Sequence, residues 1–137
     1  MKRKLLIISG IFIIILITIF VFYNNLNKVK IESVSNEYKQ EFFKVKSIDE
    51  NSKEPGIYTI DNKQSNNIYI LVNNGDGTYK LNAKIKDKTL IINAHKDNLK
   101  TKSKDIYKLN YKKNNIEYID ILENNKEANF KGAFILE

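Results

Sequence analysis

The sequence predicts a mainly β domain, a small antiparallel β-sandwich or barrel of about seven strands. It is carried behind one N-terminal transmembrane helix and one short amphipathic helix. Three observations predict it. Residues 5–23 are an apolar run with Ser9, Gly10 and Thr18 as its only small or weakly polar interruptions before Tyr23. From residue 56 onward, short runs of β-branched and aromatic residues recur between clusters of Asn, Lys and Gly. The joins between those runs are too short for helical crossovers, so neighbouring strands are expected to be antiparallel.

The first element is the apolar run. Of the 19 residues from Leu5 to Tyr23, 15 are Leu, Ile, Phe or Val, which favours insertion by about 5–9 kcal/mol. At 1.5 Å per residue a helix of that length is close to the ~30 Å of bilayer hydrocarbon. The run ends "IFVFYNNLNK", bulky and aromatic, where a cleaved signal would end in small residues. An uncleaved signal-anchor over 5–23 is therefore expected. Lys2, Arg3 and Lys4 precede it and Lys28 is the first cation after it, so residues 1–4 are placed in the cytoplasm and the rest of the chain outside.

Residues 24–55 are read as a polar tether followed by the amphipathic helix. Ser35 fits an N-cap and Glu37 a first helical turn. Val34, Tyr38, Phe42 and Val45 then fall on one stripe, although "FFKVKSI" also fits a strand. "DENSKEPG" breaks the pattern, and the extracytoplasmic β domain is assigned to 56–137. Its expected strands are "IYTI", "NIYILVN", "TYKLNAKI", "TLIINA", "DIYKLNY", "IEYIDIL" and a final "AFILE". Gly75 and Gly77 in "NGDG" are expected to supply positive φ for a hairpin into the third strand. "YKLN" occurs twice, at 79–82 and 107–110, each time before a turn and an Ile-rich strand. Composition explains this as well as duplication does.

With 137 residues there is room for one domain. The chain holds 22 Lys, 19 Asn and 22 Ile against the single Arg3. All three favoured residues have AT-rich codons, which points to a low-GC bacterium and weakens any functional reading of the lysines. The absence of Cys excludes disulfides, thiolate metal sites, Cys nucleophiles and lipidation of an N-terminal Cys.

No motif specific enough to assign a family is present, and no catalytic residue, cofactor or metal site is expected. His95 is the only histidine, with no Cys or second His to complete a zinc set. "NNGDGT" lacks the register of a calcium loop. The strongest local signal is charge: residues 80–113 hold eleven Lys and three Asp. An anion-binding patch is accordingly assigned to Lys80, Lys84, Lys86, Lys100, Lys102, Lys104, Lys108 and Lys112. Nucleic acid is disfavoured, because the patch has no Arg and is placed outside the cytoplasm.

The function expected is a membrane-anchored, extracytoplasmic, non-catalytic binding or accessory module of a bacterial envelope. Its partner is an envelope protein or an anionic polymer. Two alternatives are kept. One is a small-molecule-holding β-barrel lined by Tyr58, Tyr69, Tyr79 or Tyr118. The other is a hydrolase using His95 with Asp97 or a hydroxyl. Nothing in the sequence sets an oligomeric state.

Overall fold

The computed structural model describes residues 2–26, 28–75, 77–99, 102–111 and 116–137. In chain order the elements are α1 (Lys2–Leu26), β1 (Lys30–Ser33), α2 (Asn36–Lys44), α3 (Lys46–Asn51), β2 (Gly56–Asn62) and β3 (Asn67–Asn74). They continue with β4 (Thr78–Lys86), β5 (Thr89–Asp97), β6 (Ser103–Asn110), β7 (Tyr118–Glu123), β8 (Lys126–Ala128) and β9 (Gly132–Leu136). The described strands form two open sheets, ordered β1-β6-β3-β2-β9 and β4-β5-β7-β8.

The mainly β expectation holds; the closed barrel and the wholly antiparallel sandwich do not. β2 pairs with β9 and β5 with β7 in parallel. The short joins misled because each parallel connection runs through strands of the opposite sheet rather than through a helix. β5 reaches β7 by way of β6, which lies in the other sheet. The second "YKLN" shows the same effect. At 79–82 it leads along β4 into β5 of the same sheet, whereas at 107–110 it ends β6 and the chain next enters the other sheet. The two segments are not equivalent hairpins.

Strand alternation builds two cores on the five-stranded sheet. One face contributes Ile57, Ile70, Val72 and Leu109, which meet Tyr79, Leu90, Ile92, Ala94 and Ile121 of the four-stranded sheet. The other face contributes Tyr58, Ile60, Tyr69, Leu71 and Ile106, covered by Phe42 of α2 and Ile48 of α3. Each large apolar side chain so buried stabilises by about 1.5–3 kcal/mol. The molecule is thus three layers: a helix pair, the five-stranded sheet and the four-stranded sheet.

The helix layer follows the sequence. Ser35 caps α2, its hydroxyl accepting from the Tyr38 N–H at 3.4 Å, and Glu37 lies in the first turn. α2 ends at Lys44, and residues 46–51 form α3 rather than a strand. The segment read as a tether is partly sheet: β1 pairs with β6, and Lys28 bridges to Lys84 of β4. Val29 and Ile31 supply the reason, since both pack against the inter-sheet core.

Gly75 and Gly77 need a different explanation from the one their sequence suggests. Gly75 does not have a positive φ, and β3 and β4 lie in different sheets. A Cβ on Gly75 would overlap the Pro55 ring, and one on Gly77 would overlap the Asp97 carbonyl. Close approach requires a residue without a Cβ at both positions.

α1 exposes its large apolar side chains from Ile11 to Tyr23, at 49–65% of their free area. Its described side chains are those of 9–23, about 22 Å of helix. Among the described residues no helix is long and apolar enough to cross a membrane.

Asn73 joins the sheet to the helix layer. Its buried carboxamide nitrogen donates to the carbonyls of Ser52 at 2.8 Å, Lys53 at 3.0 Å and Glu54 at 3.0 Å. Asn73→Ala removes the donor and leaves these carbonyls without it, so a loss of about 2 kcal/mol is expected in urea unfolding. An unchanged midpoint would show that water replaces the amide at no cost.

Candidate functional site

The lysines assigned to one patch are divided by the fold. Lys80, Lys84 and Lys86 are exposed on the outer face of the four-stranded sheet, alternating with Leu81, Ala83 and Ile85, which point into the core. Lys104 lies on the helix face of the five-stranded sheet. It donates to Asp49 at 3.0 Å and Ser52 at 3.3 Å and stands over the Phe43 ring. Lys108 shares that face by strand alternation, beside Glu32, Tyr38 and Tyr69 around a hollow of about 280 Å³. Lys102 is exposed near Lys53 at one end of the molecule. Lys100 and Lys112 lie outside the described residues. Three lysines therefore share a face, while Lys104 and Lys108 are two sheet layers away.

The hollow beside Lys108 is organised by neutral and paired groups. The Tyr38 and Tyr69 hydroxyls share a hydrogen bond at 3.4 Å. That bond, with burial, pushes the Tyr38 phenol up to about 12. Hydrogen bonds from Lys30 and Asn110 hold the Glu32 carboxyl below its ordinary range.

His95 is exposed on β5, and its Nε2 lies 3.5 Å from the Asn93 carboxamide nitrogen. Among the described residues His95 has no hydrogen bond to Asp97 or to a hydroxyl. The tyrosines proposed as cavity walls are mostly core. Tyr58 and Tyr69 pack under the helices, Tyr79 packs between the sheets with burial raising its phenol pKa, and Tyr118 is exposed. Among the described residues no group of three His, Asp or Glu side chains is arranged to hold a metal ion.

One open cleft was not visible in the sequence. β8 pairs only with Ile121–Glu123 of β7, and the chain then leaves for β9 in the other sheet. Among the described residues no strand pairs with the β7 edge at residues 118–120 on that side. An open cleft of about 560 Å³ lies there, lined by Ile91, Ile119, Asp120, Leu122, Glu127 and Phe130 among others. Two carboxylates, Asp120 and Glu127, thus border an apolar floor beside an unpaired strand edge. An unpaired edge offers backbone donors and acceptors to a further strand, and alternate side chains of that strand enter the flanking groove.

A two-residue turn makes the cleft. Asn124 (φ 51°) and Asn125 (φ 65°) fold β8 back onto β7. The Asn125 carboxamide oxygen accepts from Asn93 at 2.5 Å, and the Asn124 oxygen accepts from the Lys96 N–H at 3.2 Å. β8 lies between the expected strands "IEYIDIL" and "AFILE", where its one sequence signal is the Asn pair, since Asn tolerates positive φ better than most side chains.

The class these features define is a small three-layer β domain in which, among the described residues, β7 is left unpaired on one side at 118–120. A comparison with family models, curated proteins and solved structures finds no match to this chain.

The turn can be tested directly. Asn125→Ala keeps a side chain at positive φ without local hydrogen bonding and is expected to cost about 1–2 kcal/mol. Asn125→Gly relieves φ and loses only the Asn93 contact, about 1 kcal/mol or less. Equal losses in urea unfolding would show that the hydrogen bond, not the backbone, sets the turn.

Proposed function

We propose that this chain is a membrane-anchored, extracytoplasmic, non-catalytic binding module of a bacterial envelope. It holds an extended segment of an envelope protein along the open edge of β7. The observation that carries this reading is the cleft beside residues 118–120, where an unpaired edge, an apolar floor and two carboxylates coincide. That chemistry suits a strand whose side chains alternate between apolar and basic.

The anchor rests on the sequence of 5–23, the cations at Lys2, Arg3 and Lys4, and the row of exposed apolar side chains along α1. Anchoring raises the local concentration of the cleft near other membrane proteins, so weak strand addition suffices. The division of the lysines over two faces favours a protein over an anionic polymer, because Lys84 and Lys108 cannot line one groove.

The test uses an alternating Val/Lys heptapeptide added to the isotope-labelled full chain. Amide shifts are expected to concentrate at residues 118–122 and 127–130, and Leu122→Asp is expected to weaken binding about tenfold or more. Shifts spread over the surface, or unaffected by Leu122→Asp, would contradict strand addition at this edge.

A further inference from the structure

The outer face of β4 carries Lys80, Lys84 and Lys86, all exposed. Lys28 is bridged antiparallel to Lys84, adding a fourth exposed cation beside the row. Among the described residues none of these four has a carboxylate within ion-pair distance. The facing positions on β5 explain this: Lys80 opposes His95, Lys84 opposes Ile91 and Lys86 opposes Thr89. Some lysines elsewhere are paired with acids, Lys39 with Asp105, Lys88 with Glu117 and Lys104 with Asp49, while among the described residues others such as Lys96 and Lys126 are not. Codon bias accounts for how many lysines there are, not for an unpaired row along a single strand.

Chain connectivity places this row. α1 ends at Leu26, and Lys28 is two residues further, at most about 7 Å away however α1 is tilted. The bridge adds about 5 Å between the Cα atoms of Lys28 and Lys84. Lys84 therefore lies within about 12 Å of the helix end. If residues 5–23 occupy the hydrocarbon, residues 24–27 cross the polar layer, which is about 5–7 Å deep on each side. Lys28 then reaches the phosphate level, with Lys84 at its side and Lys80 and Lys86 along the strand. A surface potential decays over about 8 Å in physiological salt, so these ammonium groups are within its reach.

We infer that the β4 lysine row, with Lys28, docks on anionic phospholipid headgroups and lays the β4 edge of the domain on the membrane. This rests on the anchor reading above. The β7 edge then lies two strand spacings, roughly 10 Å, further along the same sheet.

The test is the full chain, isotope-labelled, in nanodiscs containing a headgroup spin-labelled lipid. Incorporation into the discs is measured first; a chain that stays in solution overturns the anchor and this inference together. In phosphatidylglycerol discs, relaxation enhancement is expected at the amides of Lys80–Lys86 and to be weaker at Tyr118–Glu123. It should fall in phosphatidylcholine discs and with added salt. Each Lys→Gln change at 80, 84 or 86 should lower the docked fraction roughly fivefold, and Lys→Arg should retain it. Anchored chains whose β4 and β7 are enhanced equally, or identically in both lipids, overturn the docking while leaving the anchor intact. Soluble polyphosphate that binds the row without any lipid preference reassigns it to a polymer and also overturns the inference.

Discussion

The structure depends on one strand being buried on both faces. From Tyr69 to Asn74 every residue of β3 is buried, with Ile70 and Val72 facing the second sheet and Tyr69 and Leu71 facing the helices. A strand with no wet face cannot sit at the surface of a two-layer sandwich. It needs a layer on each side, and α2 and α3 supply one while the four-stranded sheet supplies the other. The polar end of β3 then fixes those layers in place. Asn73 reaches the carbonyls that follow α3, and Asn74 donates to Ser103 and Asp105 of β6 while accepting from the Tyr79 N–H of β4. Two adjacent carboxamides, pointing opposite ways by strand alternation, thereby connect all three layers.

The two edges of the smaller sheet acquire different chemistry from this arrangement. β4 is long and amphipathic, and its wet face is lysine. β7 is partnered for only half its length on the β8 side, and its outer surface carries Asp120 with Leu122. The chain enters the domain beside the basic edge, through Lys28, and leaves the acidic edge open. The same small sheet thus carries a basic strand at β4 and, two strands away, a partly unpaired strand bearing Asp120.

The legibility of this fold in the sequence varied with how local each feature is. The Ser35 cap, the Phe42 stripe and the half-buried alternation of β4 are set by neighbours a few residues away, and each was readable. Sheet order was not. The parallel pairs β2–β9 and β5–β7 join segments far apart in the chain, with no local signature of their partners. β1 was hidden because its four residues, "KIES", bury only Ile31 in the inter-sheet core and look like tether. The lysine cluster was a true feature of the sequence but not of one surface, because alternation and the change of sheet between β4 and β6 put its members on opposite sides. The cleft had no sequence signal beyond the Asn pair, since it is made by where β8 stops.

Native-state hydrogen exchange of the full chain tests the central claim most directly. If β3 is the doubly buried strand that the layers are built on, the amides of Ile70, Leu71 and Val72 should exchange only by global unfolding, more slowly than those of α2, β8 and β9. Exchange of these three amides at the rate of α2 or β9 would mean that β3 opens with the periphery, and the three-layer account would fail.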